Sequence, residues 1–256
     1  MSAPLDQHFL VDRNAVERIC RSIDLSGRLV LEIGPGRGAL TRGLLESGAR
    51  VFAVEIDREL IELLSCEFSR EISEGRLRVL HGDAVRCTLP PFEVAVSNLP
   101  YSASSKITFR LLETGFQEAV LMYQSEFAKR MAAPPGTPEC GRLSIMVQTY
   151  CSVQRLFDLP PRCFSPPPKV HSTVVRIVPR GPLFPIADRD LYSCVVRALF
   201  SHRRKTVRNG LRSAGGMLPQ GAAERMLAAL PEEILSSRPE ALYLEDFATI
   251  TNAGCS

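Results

Sequence analysis

A glycine-rich turn directly after a buried strand is the feature that most restricts the fold of this chain. Residues 29–33 form a continuous apolar run except for Glu32, and Gly34, Gly36 and Gly38 follow before a helical pattern begins. Glycines at such a place let the backbone turn tightly and come close to a ligand. The order strand, glycine turn, helix predicts an α/β sheet that binds a nucleotide-like molecule at the carboxyl ends of its strands.

Strand-like and helix-like patterns alternate through the first half of the chain, which indicates an open and mostly parallel sheet. The strands are predicted at residues 29–33, 51–55, 77–81, 94–98 and 119–122, and the helices at 14–21, 39–46, 58–68, 104–112, 124–133 and 142–150. Ser104 or Ser105 is a candidate helix cap. Residues 151–158 and 170–178 read as two further strands around a proline-rich loop, which suggests an antiparallel addition to the sheet edge.

A composition change near residues 181–185, which include Gly181, Pro182 and Pro185, indicates a linker. Beyond it the chain reads as helical at residues 191–200, 203–212, 222–230 and 242–251. We therefore predict a catalytic α/β domain at residues 1–182 and a small all-helical domain at residues 188–256.

The composition narrows the cellular setting. No run approaches the ~20 apolar residues of a membrane span, and residues 1–8 lack the basic and apolar parts of a secretion signal. The eight cysteines are scattered without a C-x-x-C pair, so we expect reduced thiols and no zinc site. These features predict a cytoplasmic protein without a resident metal, and a monomer is the simplest expectation.

Positive charge is concentrated in two stretches although the formal net charge is only +3. Residues 191–223 and 159–187 contain no acidic residue. Clustered charge of this kind suggests a polyanionic partner, and a solvated helix face is the alternative. The candidate RNA-binding residues are Lys169, Arg197, Arg203, Arg204, Lys205, Arg208 and Arg212.

Acidic side chains end or follow the first three predicted strands, where ligands bind in such sheets. Glu32 could engage the amino group of the methionine end of S-adenosylmethionine (AdoMet), directly or through a water. Glu55 can accept both ribose hydroxyls, whereas Asp57 is better placed to cap the next helix. Asp83 can accept the adenine N6 amine while the Ala84 N–H donates to N1, and an ordinary side-chain turn is the alternative for Asp83.

The glycine turn alone also allows a dinucleotide. With Ala39 it satisfies the fingerprint G-x-G-x-x-A, and Glu55 lies near the offset of a ribose-binding acid. The position of Glu32 favours AdoMet, because the pyrophosphate of a dinucleotide would gain nothing from an anion two residues before the first glycine. Arg37 does not discriminate between the two ligands.

The tetrapeptide Asn98, Leu99, Pro100 and Tyr101 follows the fourth strand of the alternation. The side-chain oxygen of Asn98 and the carbonyl of Leu99 can accept hydrogen bonds from an exocyclic NH2 group of a nucleobase. Pro100 has a fixed φ and stiffens the turn, and Tyr101 offers a flat face for stacking. An ordinary exit from a strand into a loop is the alternative, so the prediction depends on the strand-end residues upstream.

The chain resembles the KsgA-type rRNA adenine N6,N6-dimethyltransferases, whose cousins are the Erm methyltransferases of large-subunit rRNA. The resemblance runs nearly end to end and its ordered motifs are specific. The matching segments are residues 7–10, 32–38, 54–57, 82–84, 98–101, 141–144, 146–148, 164–170 and 200–209.

The resemblance implies a Rossmann-like AdoMet-dependent methyltransferase sheet without metal, and S-adenosylhomocysteine as product. It implies that Gln7 and His8 help close over AdoMet and places Leu10, Ile56 and Asn98 at the same site. The family often has Asn where His8 stands. It also implies that Phe164 stacks on the target adenine opposite Tyr101, whereas the residues alone would make Phe164 a loop anchor.

The substrate implied by the resemblance is a pair of adjacent adenosines in a hairpin loop near the 3′ end of small-subunit rRNA, inside an assembling particle. The alternatives are an Erm-type enzyme on large-subunit rRNA, an assembly factor that no longer needs catalysis, and an NAD-dependent oxidoreductase. The oxidoreductase would require a catalytic Tyr/Lys or His/Asp pair, which we do not find, and it leaves the basic second domain unexplained.

Overall fold

The computed structural model describes residues 7–255. The strands are β1 (Phe9–Leu10), β2 (Leu29–Ile33), β3 (Arg50–Glu55), β4 (Leu77–His81), β5 (Val94–Asn98), β6 (Glu118–Gln124), β7 (Cys151–Leu159), β8 (Phe164–Ser165) and β9 (Ser172–Pro179). The helices are α1 (Arg13–Arg21), α2 (Ala39–Glu46), α3 (Arg58–Glu67), α4 (Ser69–Ser73), α5 (Ser104–Thr114), α6 (Ser125–Met131), α7 (Arg142–Tyr150), α8 (Arg189–Ser201), α9 (Val207–Arg212), α10 (Ala222–Ala229), α11 (Glu232–Ser236) and α12 (Leu244–Gly254).

Seven of these strands form one mixed sheet in the order β4-β3-β2-β5-β6-β9-β7. Neighbouring strands from β4 to β6 are parallel, and β9 is antiparallel to β6, with Met122 opposite Val174. The inner strands are apolar along their length because helices cover both faces of such a sheet. This topology confirms the predicted Rossmann-like sheet with an antiparallel addition at its edge.

The order of the strands reverses at β2 and β5, since the chain continues from β2 toward β3 and β4 and then returns to β5 on the other side. Open α/β sheets bind ligands in the crevice at such a switch point, beyond the carboxyl ends of the strands. The two segments that follow β2 and β5 are the glycine turn and residues 98–101. The topology therefore brings the two most informative sequence motifs to the same edge.

The glycine turn is required by its φ angles and by close neighbours. Gly38 precedes α2 with φ +80°, and a Cβ atom there would lie 2.5 Å from the Phe68 ring. Gly36 has φ +58°, and its Cβ atom would lie 2.7 Å from the Phe9 ring. Only glycine combines this left-handed backbone with so little space.

A second, two-stranded sheet joins β1 to β8, with Leu10 opposite Phe164. The Val11 N–H extends the pairing by donating to the Cys163 carbonyl at 2.9 Å. Strands of two residues are too short to show an alternating pattern, so neither β1 nor β8 was predicted. We call residues 7–11 the N-terminal strap.

The described residues fall into two compact units, 7–128 with 154–179 and 129–153 with 180–255. The predicted domains assigned residues 129–153 to the first unit instead. In the structure α7 packs against α8 and α12, and the buried hydroxyls of Thr149 and Tyr192 are 2.7 Å apart. Local helix patterns do not reveal which unit a helix packs into, so the boundaries differ at α6 and α7.

Several local predictions need correction. Arg203, Arg204 and Lys205 lie in a turn instead of a helix, and α9 begins only at Val207 after the cap Thr206. Neither predicted serine caps α5, because its N-cap is Ala103 without a side-chain bond. The short helices α4 and α11 were missed, as expected for elements of about one turn.

Within residues 7–255, no helix has the length and apolar character needed to span a membrane. The same residues contain no group of three or more His, Cys, Asp or Glu side chains that could hold a metal ion.

Candidate active site

One cavity opens at the carboxyl ends of β2, β3, β4 and β5, where the predicted residues meet. Most of the candidate catalytic and cofactor-binding residues line it, and two of them, Gly38 and Phe164, do not. The lining candidates are Gln7, His8, Leu10, Glu32, Gly34, Gly36, Glu55, Ile56, Asp83, Ala84, Asn98, Leu99, Pro100 and Tyr101.

Glu55 is buried and is held by three backbone N–H groups. Its Oε1 accepts from Ile56 at 2.8 Å and from Asp57 at 3.0 Å, and its Oε2 accepts from Gly36 at 3.2 Å. A carboxylate has about four acceptor positions, so about one remains for a ligand unless the bond to Gly36 opens. The side chain therefore ties the glycine turn to β3, a role that the sequence analysis did not identify, and its contact with ribose stays a prediction.

Glu32 is 1% exposed, and its Oε2 accepts a hydrogen bond from the Thr41 hydroxyl on α2 at 2.6 Å. Burial raises the pKa of Glu32 to about 8, the Thr41 bond acts to lower it, and the charge of Glu55 raises it further. Burial therefore favours the neutral form of this carboxyl near pH 7. A cationic group that enters the cavity would favour its charged form.

Asp83 makes the side-chain turn that was the alternative interpretation. Its Oδ1 accepts from the Val85 N–H at 2.9 Å, and its Oδ2 lies 3.6 Å from Arg86. The side chain is 40% exposed and still lines the cavity beside Ala84. The predicted contact with adenine therefore depends on Oδ2 and stays a prediction. Asp57 accepts from the Glu59 N–H at 3.0 Å and caps α3, as the sequence indicated.

Asn98 is connected to the N-terminal strap. Its Nδ2 donates to the His8 carbonyl at 2.9 Å. Because the donor end of the amide is engaged there, the Oδ1 atom is the part of the side chain available as an acceptor. Tyr101 is held by a hydrogen bond between its hydroxyl and Ser172, at 2.7 Å.

The strap contacts three of the loops that surround the cavity. Gln7 donates to Asp57 at 3.3 Å, and the Phe9 ring fills the space beside Gly36. The His8 Nδ1 atom is 2.8 Å from the Pro166 carbonyl, which requires a proton on that nitrogen. These contacts place Gln7 and His8 at the cavity, and their role in closing over a cofactor stays a prediction.

Phe164 is not among the residues that line the cavity. It is 3% exposed and belongs to the core that also contains Leu10, its partner across β1 and β8. In this structure the ring packs as a loop anchor would, and the stacking of Phe164 on the target adenine stays a prediction. The ring beside Tyr101 is His8, with centroids 5.5 Å apart and planes inclined by 36°. Gly38 likewise supports packing instead of lining the cavity.

The predicted RNA-binding residues fall into two groups. Arg203 donates to Glu240 and to the Pro138 carbonyl, Arg208 pairs with Glu232, and Lys205 donates to Ser213 at 2.8 Å. Within residues 7–255, no carboxylate pairs with the exposed side chains of Lys169, Arg197, Arg204 or Arg212. The second group is therefore better suited to bind an external anion.

The reversed strand β9 beside β6, the switch-point cavity and the glycine turn define a class: the protein is an AdoMet-dependent methyltransferase with a Rossmann-like fold. The profile of the family "Ribosomal RNA adenine dimethylase" matches residues 3–248. The chain belongs to this family.

Relatives with similar sequences carry matching descriptions. A protein of Methanospirillum hungatei, described as probable ribosomal RNA small subunit methyltransferase A, is 61% identical over 252 residues, which cover 98% of each chain. One of Halobacterium salinarum with the same description is 45% identical over 248 residues, 96% of this chain and 88% of that one.

Two solved structures are similar over nearly the whole chain. A dimethyladenosine transferase from Plasmodium falciparum has a TM-score of 0.78 and 29% identity, covering 95% of this chain and 96% of that one. The 23S rRNA methyltransferase ErmE has a TM-score of 0.69 and 26% identity, covering 97% and 100%. Proteins similar in fold to this chain thus include a dimethyladenosine transferase and a 23S rRNA methyltransferase.

Proposed function

We propose that the protein transfers methyl groups from AdoMet to N6 of two adjacent adenosines in a hairpin loop near the 3′ end of small-subunit rRNA. The product is N6,N6-dimethyladenosine, formed by a monomer on an assembling particle in the cytoplasm. The observation that carries the proposal is the Asn98 amide at the mouth of the cavity, whose nitrogen is held by the His8 carbonyl at 2.9 Å. Its oxygen is thereby left to accept a hydrogen bond from an adenine amine.

The cavity residues fit AdoMet by chemistry. Glu32 would engage the amino group, Glu55 the ribose hydroxyls, and Asp83 with the Ala84 N–H the adenine edge. Gln7, His8, Leu10 and Ile56 would close over the ligand. AdoMet supplies a methyl group on a positively charged sulfur, and a cavity lined by the carboxyl groups of Glu32, Glu55 and Asp83 suits a cation.

The target amine is a poor nucleophile because its lone pair is delocalised into the adenine ring. Hydrogen bonds accepted by Asn98 Oδ1 and the Leu99 carbonyl favour a more pyramidal nitrogen, whose lone pair can point at the methyl group. Positioning of this kind supplies most of the catalysis. Asn98 is not a general base, since an amide binds no proton at neutral pH, so the proton leaves to solvent.

The site must serve both transfers although the amine has one hydrogen fewer in the second. After the first transfer, the amine keeps only one of its two hydrogen bonds to Asn98 Oδ1 and the Leu99 carbonyl. The Asn98 amide is neutral, so this loss leaves no buried charge without a partner. The target base must leave its stack, at a cost of a few kcal/mol. Tyr101 offers a stacking face that offsets this cost, and the His8 ring lies beside it with the two ring centroids 5.5 Å apart.

The small subunit is the favoured substrate for two reasons. The relatives with 61% and 45% identity are both described as small-subunit enzymes, whereas ErmE is 26% identical. The motifs at residues 98–101 and 200–209 are also spelled as in the small-subunit branch. An assembly factor without catalysis would have no need of the buried Glu32 and Glu55 or of the tethered Asn98.

The proposal is tested by methyl transfer from labelled AdoMet to undermethylated small and large ribosomal subunits, followed by nucleoside mass spectrometry. We expect N6,N6-dimethyladenosine in the small subunit. Label in the large subunit alone would identify an Erm-type enzyme. No label in either subunit, with AdoMet binding intact, would favour the assembly factor.

The unpaired arginines give a prediction for RNA docking. Arg204→Ala combined with Arg212→Ala should weaken binding to the small subunit and reduce the slope of log affinity against log salt by about 2, because each phosphate contact releases about one counterion. Binding to the small subunit, measured from about 50 to about 300 mM salt, gives the slope for each variant. Arg21→Ala combined with Arg70→Ala removes two exposed charges elsewhere and is the matched control. Equal slopes for both double variants would contradict the docking assignment.

A further inference from the structure

Thr41 is a buried polar residue that no step of the proposed chemistry uses. It lies in the first turn of α2, directly after the glycine turn, and is 0% exposed. Its hydroxyl donates to Glu32 Oε2 at 2.6 Å, one of the shortest side-chain hydrogen bonds around the cavity. An apolar side chain of equal size would fill this buried position without the cost of burying a hydroxyl. The hydroxyl is therefore best explained by its hydrogen bond to Glu32.

Glu32 has two carboxyl oxygens with different environments. Oε2 is engaged by Thr41, while the side chain also lines the cavity. The neighbouring Ile33 N–H is taken up by the Ser97 hydroxyl at 2.8 Å, which fixes the backbone beside β5. The carboxyl group is therefore held on one side and offers its other oxygen to a ligand.

We propose that Thr41 is a positioning residue for cofactor binding, holding Glu32 so that its second oxygen meets the amino group of AdoMet and stabilising the charged carboxylate. This inference rests on the proposed function, in which Glu32 binds AdoMet. A hydroxyl donor favours the ionised carboxylate, and loss of that donor leaves a buried acceptor without its partner.

The titratable and charged groups around Glu32 act in different directions. Glu55 on β3 adds a like charge, and burial raises the pKa of Cys20 on α1 to about 11, so that thiol stays neutral. Arg37 is the guanidinium that shares the cavity lining, and His8 and Asp83 line it as well. Thr41 on α2 thus supplies the hydrogen bond that lowers the pKa of Glu32 before a ligand arrives.

The sign of the pH dependence follows from this arrangement. Below a pKa of about 8, Glu32 must release a proton when the amino group binds, so affinity improves as the pH rises toward 8. Removing the Thr41 hydroxyl moves the pKa of Glu32 upward and extends this dependence to higher pH. The ratio of variant to wild-type dissociation constants therefore falls as the pH increases, and the ratio cancels titration of the ligand itself.

Calorimetric titration with AdoMet and S-adenosylhomocysteine, at intervals from about pH 6.5 to 8.5 around the raised pKa, tests the inference. Both ligands carry the amino group, so Thr41→Val should weaken both about ten-fold at neutral pH, with a smaller deficit at the highest pH. Thr41→Ser restores the hydroxyl and should stay within about two-fold of wild type. Thr41→Ala removes the same donor and has a smaller side chain than valine. It provides the same test if Thr41→Val fails to fold.

Glu32→Gln separates this inference from the function on which it rests. Thr41→Val should have no further effect on affinity in the Glu32→Gln background, because the charged partner is already absent. A ten-fold loss in that background, or a deficit that is constant with pH, would overturn the role of Thr41 alone. Wild-type protein that fails to bind AdoMet, or Glu32→Gln that binds it as tightly as wild type, would overturn the assignment of Glu32 and the inference together.

Discussion

Asn98→Ala should reduce methyl transfer about a thousand-fold while AdoMet affinity changes by less than about three-fold. The amide oxygen is the acceptor proposed for the adenine amine, and the cofactor is bound mainly by other residues. Loss of one positioned polar group at a reacting centre costs transition-state stabilisation that the rest of the site cannot replace. Single-turnover transfer to undermethylated small subunits and calorimetry with AdoMet measure the two quantities separately.

Two variants make this result specific. Asn98→Asp keeps an acceptor but loses the donor that meets the His8 carbonyl, so transfer should fall by a smaller factor than in the alanine variant. Asn14→Ala removes an exposed asparagine of α1 and should leave transfer unchanged. Full activity in Asn98→Ala would exclude Asn98 from the amine site. A parallel loss of AdoMet affinity would instead place its main role in cofactor binding.

Glu55→Ala should weaken AdoMet binding by about a hundred-fold or more, because two effects add. The proposed hydrogen bond from ribose is charge-assisted and contributes about 1.5–3 kcal/mol, and every 1.4 kcal/mol is about ten-fold in affinity. The variant also releases the N–H groups of Gly36, Ile56 and Asp57, which the carboxylate holds at 2.8 to 3.2 Å. Calorimetric titration with AdoMet measures the loss.

Glu55→Gln distinguishes the two effects, since its amide oxygen can retain some of the backbone bonds but not the charge. Glu59→Ala is the matched control, because it removes an exposed acidic side chain from the first turn of α3. Unchanged AdoMet affinity in Glu55→Ala, with the fold confirmed by thermal melting, would remove Glu55 from the ribose site. In that event the carboxylate would serve only to organise the glycine turn.

Much of the fold could be predicted because its signals are local. The apolar runs that became β2, β4 and β5 were long and bounded by turn residues, and their predicted bounds match the structure. β1 and β8 had no such signal, since two-residue strands exist only through their partners. The basic segment at residues 203–205 was predicted as helix, but it forms a turn before the Thr206 cap of α9.

The candidate site also has parts that local sequence signals predict and parts that they do not. The order of Glu32, Glu55, Asp83 and Asn98 along the chain was sufficient to predict a shared cavity, because parallel strands end at one edge of the sheet. Phe164 was placed at the target base through resemblance, but the structure buries it against the core beside Leu10. Which side of a two-residue strand faces inward depends on its pairing, which no pattern in residues 164–170 reveals.

The sequence by itself determined the class of fold, the edge of the sheet at which a ligand binds and the residue types present there, because strand periodicity and glycine turns are encoded within a few residues. Only the tertiary structure decided which hydrogen-bond partner each polar group meets. Thr41 reaches Glu32, His8 holds Asn98, and Arg203 is paired with Glu240 whereas Arg204 is not. These partners are 9 to 90 residues apart in the chain, and packing of the elements, not local pattern, brings them within hydrogen-bonding distance.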